Sequence, residues 1–226
     1  MNEINHRKYD LIIFDVDGTL LNTAAGVLKS AEYAILQSGR NLPDKQTMLS
    51  FIGPPIQDSF EKTFKISGNE LVNMTNLFRN SYSMQYLYEA EPYAGLYEVL
   101  DVLTSYKVHI AIATYKREDY AVKILHHFGL DRYSDSSHGA DAENKLKKSD
   151  IIEKCIQECG ISERSRIVMV GDTEHDASGA KKAGVDFIGV TWGFGFQKKQ
   201  DVMRAGAIGS ADKPAEILNY VLENPL

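Results

Sequence analysis

Asp10-Leu11-Ile12-Ile13-Phe14-Asp15-Val16-Asp17-Gly18-Thr19-Leu20-Leu21 opens with a short, nearly continuous apolar run and then turns abruptly polar. A run of that length without alternation is the pattern of a strand covered on both faces, as in parallel sheets. Asp15 and Asp17 then fall at the carboxyl end of that strand, where open α/β sheets bind ligands. An extended backbone would aim the two carboxylates to opposite sides. A turn beginning at Asp17 and eased by Gly18 would bring both into one cavity. At roughly 6% usage per residue type, the four fixed positions of Asp-x-Asp-Gly-Thr arise by chance about once in 10⁵ starts.

The same strand pattern recurs at Lys107–Ala113 and Arg166–Val170, and more weakly at Val185–Val190. Between these runs the apolar residues take helical spacing. Arg117–Phe128 sets Tyr120, Ala121, Ile124, Leu125 and Phe128 on one stripe before Gly129. Asp150–Cys159 sets Ile151, Ile152, Cys155, Ile156 and Cys159 together, with Ser149 as the expected N-cap. Pro214 opens a last helix with Ile217, Leu218, Val221 and Leu222 inward. Alternation of this kind predicts an α/β fold: a doubly wound, mostly parallel, Rossmann-like sheet covered by helices on both faces. Residues 22–91 break the alternation. Thr23 can cap a helix Ala24–Ser38 with Val27, Ala31, Ala34 and Ile35 along one side. Helical pieces follow at Asp44–Ser50 and after Pro54-Pro55, then a long one from Gly68 to Glu89. The expected organisation is an α/β core of residues 1–21 and 92–226, with a small all-helical domain of residues 22–91 inserted after the first strand.

Composition narrows the partners. The chain has 226 residues, 43% hydrophobic and 25% charged, with 25 basic against 31 acidic side chains and a net charge of −6. Such a balance speaks against a nucleic-acid polymer as partner, because phosphate-backbone affinity comes from clustered Lys and Arg. A small phosphorylated metabolite needs only local positive charge. No apolar run approaches the roughly 20 residues that span a bilayer, so no membrane partner is expected. The polar start Met1–Tyr9 lacks the pattern of a secretory signal, and two cysteines, Cys155 and Cys159, make no disulfide framework. The expectation is a soluble, cytoplasmic protein.

Three further clusters carry chemistry. Val170-Gly171-Asp172-Thr173-Glu174-His175-Asp176 follows another buried strand, and Asp172 and Asp176 would share a face of a helix starting nearby. With Asp15 and Asp17, this gathers four carboxylates at one sheet edge, a costly crowd unless something positive sits among them. A hard divalent cation such as Mg²⁺, which prefers oxygen ligands, would resolve the repulsion. Thr114-Tyr115-Lys116 ends the Lys107 strand with a hydroxyl and turn N–H groups suited to an anion. Lys145, Lys147 and Lys148 lie just before the Ile151 helix.

In this order and spacing, the chain resembles the haloacid dehalogenase-like hydrolase superfamily over nearly its whole length. Asp15-Val16-Asp17-Gly18-Thr19 is similar to its first motif, Thr114 to its second, a lysine to its third, and Gly171-Asp172 through Asp176 to its fourth. The insert resembles the helical cap of phosphoglycolate phosphatase-like and 5′-nucleotidase-like members, with Phe51–Ile56 and Ser59-Phe60 as a cap segment; Trp192–Gly195 resembles their late glycine-containing loop. Two departures stand out: Tyr115 replaces the usual Asn of the second motif, and the third motif lacks its usual Lys-Pro. Lys148 in Lys148-Ser149-Asp150-Ile151-Ile152 fits a variant of that motif best, with Lys145 in reserve.

The resemblance implies an Mg²⁺-dependent phosphatase that passes through an aspartyl-phosphate. Asp15 would be the nucleophile and Asp17 the acid/base; Thr114 and Lys148 would hold the phosphoryl oxygens. Asp15, the Asp17 carbonyl and Asp172 would hold the metal, with Asp176 orienting from behind. Gly18, Thr19, Thr114 and Tyr115 in the core, and Ile52 and Gly53 in the cap, would touch substrate. Asp17 disfavours a dehalogenase, which needs no acid/base carboxylate there. No cap lysine among Lys29, Lys45, Lys62 and Lys65 is marked for a phosphonatase. A sugar phosphomutase shares every motif, and a non-catalytic binding protein would have no need to retain all six polar residues. Outside the superfamily, no P-loop, dinucleotide fingerprint or Gly-x-Ser-x-Gly elbow occurs.

Overall fold

The computed structural model describes residues 7–143 and 145–223; most of the polar start, Met1–Tyr9, lies outside them. In chain order the strands are β1 (Leu11–Phe14), β2 (Leu21–Asn22), β3 (Glu91–Pro92), β4 (His109–Arg117), β5 (Ser136–Ala140), β6 (Ile167–Gly171), β7 (Asp186–Val190) and β8 (Gly209–Ala211). The helices are α1 (Ala24–Gln37), α2 (Lys45–Leu49), α3 (Ile56–Phe64), α4 (Gly68–Ser81), α5 (Leu96–Ser105), α6 (Glu118–His127), α7 (Lys148–Cys159), α8 (Glu174–Ala183), α9 (Lys199–Arg204) and α10 (Leu218–Val221). None of them is long and apolar enough to cross a membrane. The chain divides into two compact units, one running up to Leu21 and resuming at Pro92, the other Asn22–Glu91.

The first unit is built on a six-stranded sheet in the order β5-β4-β1-β6-β7-β8. Every pairing is parallel, and Leu11 of β1 sits opposite His109 on one side and Ile167 on the other. The chain runs outward from β1 to β4 and β5, then crosses back to build β6, β7 and β8 on the other flank. The strand order therefore reverses at β1, and a crevice opens at such a reversal beyond the carboxyl ends of the strands. Leu11, Ile13, Ala111, Ala113, Ile167 and Met169 turn to one face, against Ile151, Ile152, Cys155 and Ile156 of α7, the alanines of α8 and Val202 of α9. Alternation sends Ile12, Phe14, Ile110, Ile112, Val168 and Val170 to the other face. The buried stripes of α5 and α6 cover that side of β4. The double covering explains why β1 reads as an unbroken apolar run.

Sequence and structure part at several points. β5 (Ser-Ser-His-Gly-Ala) and β8 (Gly-Ser-Ala) carry no apolar run, because an outer strand is held by its ladder and needs fewer large side chains. α7 begins at Lys148 with Lys147 as N-cap, so Ser149 is inside the helix and not its cap. The Asp150 carboxylate accepts from the Lys147 N–H at 2.8 Å and supplies the capping that Ser149 does not. The last helix starts as a 3₁₀ turn, Pro214–Ile217, and Leu218 is only half-buried in it.

In the Asn22–Glu91 unit, α1 packs along α4 and along the π-helical turn Tyr82–Tyr86 that continues it. Phe51, Phe60, Phe78 and Tyr82 form a chain of edge-on and stacked rings at its centre, with centroids 5.6–6.2 Å apart. The buried side of α1 is Gly26, Ser30, Ala31, Ala34 and Ile35, rotated from the expected stripe, and Val27 is only half-buried. The cause is a close backbone approach: a Cβ on Gly26 would lie 2.3 Å from the Tyr86 carbonyl oxygen. An alanine inside a helix is ordinarily worth about 1 kcal/mol over glycine. Here the collision with main chain outweighs that gain, so Gly26→Ala is expected to destabilise the protein by about 1–3 kcal/mol, the range for overpacking. Urea unfolding checks this; a stabilised variant would contradict it.

Candidate active site

The site grows from the end of β1. After Phe14 the backbone curls so that the Val16 carbonyl accepts from the N–H groups of Thr19, Leu20 and Leu21 at 2.9–3.3 Å. Gly18 supplies the left-handed residue this turn needs, at φ 83°. Its missing side chain matters as much: a Cβ there would lie 2.3 Å from Asp172 Oδ2. The turn thus brings the first-motif backbone against the end of β6.

Asp15 is 6% exposed, Asp172 0%, Asp176 1% and Lys148 2%. One carboxylate oxygen from each of Asp15, Asp172 and Asp176 lies within 4.8 Å of the others. Lys148 Nζ stands between two of them, 2.6 Å from Asp15 Oδ1 and 2.7 Å from Asp176 Oδ1. The other oxygen of Asp176 accepts from Thr173 N–H at 3.0 Å and Thr173 Oγ1 at 2.6 Å. Thr173 is the N-cap of α8, so Asp172 precedes the helix and does not share a face of it with Asp176. Asp176 instead closes the capping box and reaches Lys148 with its second oxygen.

Asp172 Oδ2 accepts from the Phe194 and Gly195 N–H groups at 2.7 and 3.1 Å. Its Oδ1 is buried and has no hydrogen-bond partner among the described residues. Burial, then the charges of Asp176 and Asp15, push its carboxyl up to about 8 against the pull of those two amides. Burial likewise raises Asp15, with Lys148 opposing and Asp176 and Asp17 adding to the rise. Burial alone would lower the Lys148 ammonium, but the two carboxylates reverse this and hold it above its ordinary value. Three buried carboxylates thus share one ammonium, and the orphaned Asp172 oxygen points to a missing positive charge. An all-oxygen donor set of this kind suits a hard divalent cation.

Asp17 has a different cationic partner. Its carboxylate pairs with Lys116 Nζ at 3.0 Å, and Lys116, at the end of β4, is itself buried. The sequence offered Lys116 only as the neighbour of Thr114 and Tyr115; its burial at a strand end could not be read from spacing. Thr114 is buried and its Oγ1 accepts from the Lys116 N–H at 3.1 Å. Thr19 is buried as well, its hydroxyl without a partner and its carbonyl accepting from Trp192 Nε1 at 3.2 Å. Tyr115 is turned toward Lys148: its hydroxyl accepts from the Lys148 backbone N–H at 2.9 Å. Lys145 is exposed and pairs with Glu143, which removes it as the alternative to Lys148. Ile52 and Gly53 belong to the Asn22–Glu91 unit, between α2 and α3. The role of Trp192–Gly195 was also not legible in advance: its amides hold Asp172, and a Cβ on Gly193 would lie 2.4 Å from Asp172 Oδ2.

Comparison with known proteins agrees with this geometry. The family described as haloacid dehalogenase-like hydrolase matches residues 12–190. A 5′-nucleotidase of Pseudomonas aeruginosa is 31% identical over 199 residues, covering 88% of each chain. A phosphoglycolate phosphatase of Agrobacterium fabrum is 31% identical over 191 residues, covering 81% of each. Among solved structures, that of a predicted phosphatase from Clostridium acetobutylicum superposes with a TM-score of 0.86 at 30% identity, covering 94% of this chain and 97% of that one. With the family match spanning most of its length and relatives of this identity alongside, the chain belongs to the haloacid dehalogenase-like hydrolase family.

Proposed function

We propose that this hydrolase is an Mg²⁺-dependent phosphatase of small phosphomonoesters, phosphoglycolate phosphatase-like in its reaction. The observation that carries this reading is the buried triad Asp15, Asp172 and Asp176, with Lys148 bridging two members and one Asp172 oxygen unpaired. The match to a nucleotidase over 88% of both chains makes nucleoside 5′-monophosphates the second substrate class.

Lys148 occupies Asp15 Oδ1, so attack on phosphorus falls to Oδ2. The new bond forms an aspartyl-phosphate as the ester P–O bond breaks, and one hard displacement becomes two easier ones. Asp17, aimed by its pair with Lys116, gives a proton to the departing oxygen. In the second step Asp17 takes a proton from the water that attacks phosphorus, the bond to Asp15 Oδ2 breaks, and inorganic phosphate leaves. Lys148 and Thr114 hold the phosphoryl oxygens, and Asp176 holds Lys148. Asp15 and Asp172, with the Asp17 carbonyl, are the groups that would hold Mg²⁺, a reading supported by the buried Asp172 oxygen that no described group bonds. Bound there, the ion supplies the positive charge that lets a carboxylate and a phosphate approach each other. The Asn22–Glu91 unit acts as the cap that excludes water and reads the substrate beyond its phosphate, through residues such as Ile52 and Gly53.

A panel of phosphoglycolate, nucleoside monophosphates and hexose phosphates with Mg²⁺ tests the reading, and folded protein releasing no phosphate from any of them would refute it. Asp15→Asn is expected to abolish turnover with the melting temperature retained. Asp17→Asn is expected to slow it by about 10²–10⁴-fold, the usual contribution of a general acid–base. The Asp172 carboxyl gives a pH signature. Between 3.8 and about 8 the folded state holds a proton that the unfolded chain has lost. Stability of the cation-free protein should therefore fall as pH rises through that window. A cation on the carboxylate cancels the loss, so Mg²⁺ should raise the melting temperature more at pH 8 than at pH 5.5. Equal shifts at both would contradict the assignment.

A further inference from the structure

Two departures from the family pattern meet at one contact. The second motif carries Tyr115 where an Asn is usual, and the third lacks the proline after its lysine. A helix start leaves its first N–H groups without intrahelical acceptors. At α7 the N-cap is Lys147, whose side chain cannot accept. The Asp150 carboxylate takes the Lys147 N–H, and the acceptor for the Lys148 N–H is brought from another element entirely: Tyr115 Oη on β4, at 2.9 Å. The same ring lies 5.6 Å from Lys148 Nζ, within cation–π range. His175, at the first turn of α8, meets the Tyr115 ring edge-on at 5.5 Å between centroids and fixes its plane.

Lysine has a long, flexible stem, and an ammonium between two carboxylates still has several ways to reach them. Tyr115 removes most of that freedom by holding both ends of the residue, its main-chain N–H by the hydroxyl and its ammonium by the ring face. We infer that Tyr115 is a positioning residue for Lys148, acting on the transferring phosphoryl group only through that lysine. This rests on the phosphatase reading above. A contact that tightens geometry at the reacting group acts on the transition state, whereas one that touches substrate acts on binding in both states.

Steady-state kinetics of wild type and Tyr115→Phe, with Mg²⁺ and the best phosphomonoester of the panel, decide between these. Phe keeps the ring and loses only the acceptor. The expected result is a fall in kcat of about tenfold with KM within twofold. A raised KM at unchanged kcat would make Tyr115 a substrate contact and overturn the inference, as would a folded variant with both constants unchanged. A second measurement needs no variant: amide hydrogen exchange at Lys148 in the wild-type protein should be slowed at least a hundredfold from the unprotected rate, and an unprotected amide there overturns the inference too. Wild type and variant are assayed side by side, which separates the failures. A silent wild type overturns the phosphatase reading and this inference with it; an active wild type indifferent to Tyr115→Phe overturns this inference alone.

Discussion

One buried ammonium organises the carboxyl end of the sheet. Lys148 is withdrawn from water and survives as a cation because Asp15 and Asp176 stand at 2.6 and 2.7 Å. Removing Lys148 would leave Asp15 and Asp176 without a counter-charge in a low-dielectric interior, which costs far more than an exposed pair returns. The arrangement is therefore all-or-none. α7 must start at Lys148, α8 must present Asp176 from its first turn, and β1 must end at Phe14, or the ammonium does not meet its two carboxylates. Even so, three carboxylates against one ammonium leave the site short of positive charge. That shortage is a form of stored affinity for a cation and for the anion such a cation would bring.

Much of this architecture was legible because burial on both faces leaves a plain mark. β1, β4, β6 and β7 show as apolar runs, and α6 and α7 as stripes, since each contributes large side chains to a packed layer. β5 and β8 gave no such mark because pairing of main chain, which is the same for every residue, defines them. The carboxylates were legible because Asp15, Asp17, Asp172 and Asp176 each follow an apolar run. What spacing could not give was who pairs with whom. Asp17 goes to Lys116 and Asp176 to Lys148, and those choices depend on where β4 and α7 end in space. Tyr115 shows the same limit from the other direction. Its residue type suggested a polar group facing substrate, and only the path of α7 reveals an N–H waiting for its hydroxyl.

The glycines around Asp172 carry a related lesson. Gly18, Gly193 and Gly195 come from two distant segments, yet a Cβ on any of them would strike Asp172 itself. They let main chain close around a carboxylate, delivering the Phe194 and Gly195 amides to one oxygen while the other is left bare. Amides hold the side chain still without neutralising it, so the orientation is fixed and the negative charge remains available.

The place of β1 in the sheet has a bearing on how the protein comes into being. Its two hydrogen-bonded neighbours begin at His109 and Ile167, so β1 waits for chain that is synthesised much later. Such distant pairing slows folding, because the entropy of closing long loops must be met before the contacts that repay it exist. Until β6 has emerged, a nascent chain carries Asp15 with one flank of its strand bare. The cluster of Asp15, Asp172, Asp176 and Lys148 thus comes together only once β6 and the start of α8 have been made.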